Sequence, residues 1–154
     1  MESSHVFYRR MTYRHPCVVR GEGVYLWDAS GRKYIDASGG AVVVNIGHGV
    51  MSVVEAMAGQ ASKVAYAHGT MFTSEPIEAY SRRLASLVPM QDPLFYYLSS
   101  GSEAIETALK FARQVQVARG ELGREIFISR WGSYHGTTLG ALAVSGKAKM
   151  RGMF

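Results

Sequence analysis

Residues 94–113 read LFYYLSSGSEAIETALKFAR, and this stretch decides the fold. Leu94-Phe95-Tyr96-Tyr97-Leu98 is a continuous apolar and aromatic run, the composition of a strand covered on both faces. Ser99-Ser100-Gly101-Ser102 then opens a helical pattern in which Ala104, Ile105, Ala108, Leu109, Ala112 and Val115 share one side, with Gly120 as its stop. A second strand, Glu125-Ile126-Phe127-Ile128-Ser129, leads into a polar loop over 130–136 and a short helix of small residues over about 137–144. Strand, helix, strand, helix in that order predicts a βαβ unit in a parallel sheet.

Upstream the pattern is different. Val18-Val19-Arg20, Val24-Tyr25-Leu26-Trp27-Asp28 and Lys33-Tyr34-Ile35-Asp36 are separated by Gly21-Glu22-Gly23 and Ser30-Gly31, the turn chemistry of an antiparallel meander. A short apolar run, Ala41-Val42-Val43-Val44, is closed by Gly47-His48-Gly49. Val53, Val54, Met57 and Ala61 predict a helix over 51–64 despite Gly59. Ile77, Tyr80, Leu84 and Leu87 predict another after Pro76, stopped at Pro89. The expected class is therefore α/β: an N-terminal α+β meander segment over 1–88, then the start of a larger domain with parallel strands and flanking helices over 89–154. Two parallel strands cannot cover themselves, so the expectation is that further strands come from a longer polypeptide or from another chain.

Composition excludes several classes. The chain has 154 residues, 47% of them hydrophobic and 19% charged, within the globular range. Its formal charge is +5, but the Lys and Arg residues are dispersed, with pairs such as Arg9-Arg10 and Arg82-Arg83. Nucleic-acid binding calls for clustering, so a solvated basic surface and no nucleic-acid partner are expected. The single cysteine, Cys17, precludes an intrachain disulfide framework. Residues 1–10 are polar, and no apolar run approaches the roughly 20 residues of a membrane span. A cytoplasmic protein without a membrane partner is the expectation.

Chemistry is concentrated at two junctions. At Ser99 to Glu103 a strand gives way to a helix. First-turn amides lack intrahelical partners and lie at the positive end of the helix dipole, so they can bind a phosphate. Gly101 allows close backbone approach and Ser102 adds a hydroxyl. Ser100 and Glu103 equally match the capping box S-x-x-E, which satisfies such donors internally. Neither G-x-x-x-x-G-K-[ST] nor G-x-G-x-x-G occurs, which argues against a nucleotide. The second junction is Tyr134-His135-Gly136-Thr137, at the carboxyl end of the next strand, where open α/β sheets bind ligands. An aromatic ring there can stack on a flat cofactor, while His135 can serve structure or chemistry.

The segments SGSEAIETALKFAR over 100–113 and YHGTTLGAL over 134–142 resemble the class III (ω-) aminotransferases of the fold type I pyridoxal-phosphate-dependent enzymes. GEGVYLWDASGRKYID over 21–36, followed by NIGHG over 45–49, resembles the entry meander of the same family. The resemblance implies pyridoxal 5'-phosphate as cofactor, an amine or amino acid and a keto acid as substrates, and a homodimer. It implies that Gly101 and Ser102 bind the cofactor phosphate, that Tyr134 stacks on the pyridine ring and that His135 lies beside it. The segment 39–44 would line the substrate pocket near the dimer interface, with Val42 where many amine-handling relatives place a large aromatic. A smaller wall there changes pocket volume and leaves substrate choice open. The alternative for 42–44 is a buried strand with no substrate role.

The family's aldimine lysine and the aspartate that faces the pyridine nitrogen lie well downstream of the Tyr-His-Gly motif, and both are expected beyond Phe154. Lys147 and Lys149 stand in Ser-Gly-Lys-Ala-Lys, which resembles an ordinary connecting loop, and Lys110 lies inside the long helix. Three readings remain open: part of an aminotransferase, a non-catalytic remnant or interaction module, or part of a related decarboxylase or aminomutase. With the aldimine lysine expected beyond Phe154, the isolated chain is expected to be inactive, and borohydride reduction of the chain mixed with pyridoxal phosphate should fix the cofactor to neither Lys147 nor Lys149. Stable labelling of either lysine, accompanied by turnover, would overturn it.

Overall fold

The computed structural model describes residues 4–152 and 154. The chain divides into two compact units, Met1–Ser74 and Glu75–Phe154.

The first unit is built on a three-stranded antiparallel sheet in the order β1-β2-β3, with β1 Val18–Glu22, β2 Tyr25–Asp28 and β3 Lys33–Ile35. This is the meander expected from the turn residues. Glu22 pairs with Tyr25 across a two-residue connection whose first member, Gly23, has φ +54°. A side chain is disfavoured in that conformation. The β2–β3 turn is organised by Asp28. Its carboxylate accepts from the Ser30 amide (2.9 Å), the Ser30 hydroxyl (2.6 Å), the Arg32 amide (3.1 Å) and the Tyr34 hydroxyl (2.6 Å).

The segment after β3 departs from the strand alternative for 42–44. The stretch α1, Gly39–Val42, is a single turn wound left-handed: φ is +52° at Gly39, +57° at Gly40, +61° at Ala41 and +69° at Val42. The Val42 amide donates to the Ser38 carbonyl and the Val43 amide to that of Gly39. Two glycines start such a turn freely, but Ala41 and the β-branched Val42 are strained in it. Val42 and Val43 are exposed, so the run is neither a strand nor buried. Beyond the turn the chain is anchored on the sheet. His48 exchanges backbone hydrogen bonds with Gly23, and its Nε2 lies 3.0 Å from Asp36 Oδ2. A Cβ on Gly21 would come within 2.8 Å of the His48 side chain, so glycine makes this close approach possible. Helix α2, Met51–Lys63, then matches the expected stripe.

The second unit begins with α3, Glu75–Ala85. Its contacts tie it to the 94–98 segment. The Tyr97 hydroxyl and Ser81 Oγ are 2.7 Å apart, and the Tyr80 and Tyr97 rings are 5.8 Å apart. The division between units therefore falls ahead of this helix, whereas the residue pattern suggests a boundary after it, at 88/89. Helix α4, Gly101–Ala118, is the longest element. Its C-terminus is a Schellman motif: the Gly120 amide donates to the Val117 carbonyl (3.0 Å), the Glu121 amide to that of Gln116 (2.9 Å), and Gly120 has φ +80°. Arg113 braces the loop beyond it, its guanidinium donating to the carbonyls of Glu121, Leu122 and Arg124. Two short helices complete the unit, α5 Leu139–Ala143 and α6 Ala148–Arg151. The latter converts part of the expected connecting loop into a helical turn.

The expected parallel pairing of 94–98 with 125–129 is absent: among the described residues the meander is the one sheet. Both segments flank α4 in the predicted order. A βαβ crossover sets the direction of its two strands without making them neighbours, and a ladder needs a partner at about 4.8 Å. Leu94, Ile126 and Ile128 are accordingly almost fully exposed. Among the described residues, the buried apolar ones are Ala141 and Leu142, both on α5.

The first unit generates two predictions. The four donors on Asp28, led by the Ser30 and Tyr34 hydroxyls, lower its pKa from 3.8 to about 2. A depressed carboxylate stabilises the folded state above its unfolded pKa, and that contribution is lost as pH falls from about 4 through 2. Acid titration followed by circular dichroism should show the loss in this window. Asp28→Asn should reduce its amplitude while leaving the share due to Asp36, which His48 also lowers. For the left-handed turn, Val42→Gly removes steric strain at a site with little burial to lose. It should raise stability by up to about 1 kcal/mol in denaturant unfolding.

Candidate functional site

The site is built from the first two turns of α4 and the loop leading into α5. Ser100 has extended backbone (φ −152°, ψ 159°) and caps the helix, its Oγ accepting from the Glu103 amide at 3.2 Å. That bond satisfies the third amide of the helix. The amides of Gly101 and Ser102 precede the first intrahelical bond and have no intrahelical acceptor. The cap thus occupies a different donor from these two amides. A Cβ built on Gly101 would meet nothing within 4 Å, so space lies open over this turn.

Ser102 and Glu106 are one turn apart on α4, and both reach the loop after Tyr134. Ser102 Oγ accepts from the Thr137 amide at 3.0 Å. This occupies a lone pair and leaves the hydroxyl proton able to donate elsewhere. Glu106 Oε2 accepts from Thr138 Oγ1 at 2.9 Å and from the Ala141 amide at 3.0 Å. The carboxylate therefore supplies an acceptor at the start of α5, where Thr138 makes no side-chain cap of its own. Glycines allow the contact. A Cβ on Gly136 would lie 2.5 Å from Ser102 Oγ and 2.8 Å from Ser102 Cα, and one on Gly140 would collide with the Glu106 carboxylate.

The far side of the loop is held just as closely. Ser145 is fully buried; its Oγ accepts from the His135 amide (3.0 Å) and donates to the Ala141 carbonyl (2.9 Å). Gly132 and Gly146 approach through the Gly132 amide on the Gly146 carbonyl (3.1 Å), and the Gly146 amide donates to the Ser133 carbonyl (3.0 Å). Tyr134 stands between these anchors and is 56% exposed. The Lys147 ammonium lies 5.2 Å from the centre of that ring, within cation–π range.

Of the residues singled out in the sequence, Gly101, Ser102, Tyr134 and His135 belong to this one assembly. His135 enters it through its backbone amide. Val42 lies in the first unit, on the strained turn. Glu106, Gly136, Gly140, Ser145 and Lys147 are also part of the assembly; Glu106, Gly136 and Gly140 lie inside the two motif segments, but the residue pattern gives them no role of their own.

The chain matches the family described as Aminotransferase class-III over residues 7–154. It is 43% identical to an uncharacterized aminotransferase, YodT, of Bacillus subtilis, a match that covers 99% of this chain and 34% of the relative. It is 36% identical to the acetylornithine aminotransferase of Archaeoglobus fulgidus, over 99% of this chain and 38% of that protein. Among solved structures, an (S)-enantioselective omega-transaminase from Thermomicrobium roseum superposes with a TM-score of 0.88 at 35% identity, covering 96% of this chain and 34% of that one. An amine transaminase from an uncultivated Pseudomonas species, in its PLP-bound form, gives a TM-score of 0.83 at 32% identity, over 96% of this chain and 35% of that one. The chain spans about a third of the length of these relatives. With an α/β fold that matches PLP-dependent transaminases and a family match across nearly all of its length, the chain belongs to the class III aminotransferases.

Proposed function

We propose that this chain supplies the phosphate-binding and ring-stacking part of a pyridoxal-phosphate site in an enzyme that moves an amino group from an amine or ω-amino acid to a keto acid such as pyruvate or 2-oxoglutarate. The observation that carries the reading is the Thr137–Ser102 hydrogen bond, which brings the stacking loop onto the first turn of the anion-binding helix. A phosphate at the end of a flat aromatic ring is the ligand shape that such an arrangement accepts.

In this reading the amides of Gly101 and Ser102, with the Ser102 hydroxyl, hold the phosphate. The Tyr134 ring covers one face of the pyridine and His135 lies beside it. When bound, pyridoxal phosphate supplies an electron sink that makes a proton next to the substrate nitrogen removable. The residues of this chain bind and orient; they fix the ring plane and keep the phosphate end anchored. Val42 forms part of the substrate wall, and the strain of its left-handed turn fits a segment shaped for function rather than for local stability. A cytoplasmic homodimer is the assembly that accompanies this reading.

Gly101→Ala separates binding from folding. The added methyl meets open space in the protein, and alanine is favoured over glycine in a helix by up to about 1 kcal/mol, so thermal stability should be unchanged or slightly raised. The same methyl intrudes on the space proposed for the phosphate. Affinity for pyridoxal phosphate, measured by equilibrium dialysis, should fall about tenfold, equivalent to roughly 1.4 kcal/mol. Affinity for pyridoxal, which lacks the phosphate, should change little. An unchanged affinity for pyridoxal phosphate would count against the assignment.

A further inference from the structure

Beyond the residues that would touch the cofactor, the structure shows a second pair of matched positions. Ser102 and Glu106 follow one another at a spacing of four along α4, and Gly136 and Gly140 oppose them at the same spacing. Each glycine is a seat. The Gly136 seat is closed by the backbone and Cβ of Ser102, and Gly136 itself has φ +129°. The Gly140 seat is closed by the end of a longer side chain, the Glu106 carboxylate. Thr137, Thr138 and Ala141 are hydrogen-bonded to these same two side chains.

We propose that Glu106 is a positioning residue that sets the placement of the ring-stacking loop relative to the phosphate-binding turn. Its carboxylate holds the N-terminus of α5 through Thr138 Oγ1 and the Ala141 amide. Ala141 is fully buried and its carbonyl accepts from Ser145 Oγ, which in turn receives the His135 amide. A chain of short contacts thus runs from Glu106 to the residue after Tyr134. Ser102 alone gives the loop a pivot; Glu106 adds a second point of attachment one helical turn away, and two points fix an orientation. The inference rests on the proposed cofactor site.

Charge is not what the role requires. Both donors go to a single oxygen, Oε2, and a glutamine carbonyl offers an acceptor in the same place. Glu106→Gln should therefore preserve placement, whereas Glu106→Ala should lose it. Gly140→Ala provides an independent route, because its methyl displaces the carboxylate from the other side. Since the clash is with the mobile end of Glu106, this variant should behave like Glu106→Ala. The Gly140→Ala/Glu106→Ala double variant should then be no worse than either single one, a non-additivity expected only of directly coupled positions.

The test uses two probes on the purified protein: orthophosphate, which reports the helix turn alone, and a pyridoxal phosphate analogue lacking the aldehyde, which needs both turn and ring but no lysine. Amide hydrogen exchange of Ala141 gives a readout independent of any ligand. For Glu106→Ala we expect unchanged orthophosphate affinity, analogue affinity lowered about tenfold and faster exchange at Ala141, with all three restored by Glu106→Gln. If the wild type binds the analogue and Glu106→Ala binds it equally well, the positioning role is overturned while the site stands. Equal losses for both probes would overturn it too, as a general structural defect. A wild type that binds neither probe would remove the cofactor site itself, and the inference with it.

Discussion

The arrangement of the second unit depends on one contact surface: the first two turns of α4 against the loop and short helix that come after Tyr134. Ser102 and Glu106 reach out from the helix, and Gly136 and Gly140 make room for them. Side-chain acceptors on one element satisfy backbone donors on another, so the contact is directional where an apolar contact would allow sliding. Ala141, Leu142 and Ser145, all buried, lie just behind it. The loop that carries Tyr134 is ordered because it is held from both sides, by α4 in front and by Ser145 and Gly146 behind.

A parallel logic governs the first unit, with carboxylates again in the organising role. Asp28 gathers four donors and closes the second turn of the meander; Asp36 takes His48 and ties the following segment back to the sheet. Both carboxyl groups are held below their ordinary pKa by the hydrogen bonds they accept. Between these two anchors the chain adopts the left-handed turn at Gly39–Val42. Strain at Ala41 and Val42 persists there because neighbouring contacts over-determine the path on either side.

Large apolar faces remain open. The groove lined by Leu94, Phe95, Leu98, Ala104, Ala108 and Phe111 runs between the 94–98 segment and α4, and Ile126 and Ile128 stand exposed beyond it. The chain spans about a third of the length of the relatives it matches.

Much of this is legible in the residues alone. The meander follows from β-formers separated by glycine-bearing turns, and α4 from a capping serine, an apolar stripe and a terminal glycine; these are local rules, satisfied within a few residues of chain. The joint presence of Gly101, Ser102, Tyr134 and His135 is legible as a motif pair. The segments 94–98 and 125–129 read as paired strands and are not paired, because a ladder is a property of neighbours, which no local pattern supplies. The turn at Gly39–Val42 is hidden for a related reason: its apolar residues look like a strand, and the paired glycines with the closing His48–Asp36 contact impose another path. Glu106 shows the same division. On the sequence it is a polar residue inside a helix, and only the approach of Gly140 and Ala141 from 34 and 35 residues away gives its carboxylate a task. Composition and spacing determined the meander, the long helices and the chemistry available to them. Tertiary contact decided which donors each acceptor meets, because hydrogen bonds between distant segments depend on geometry that sequence separation does not encode.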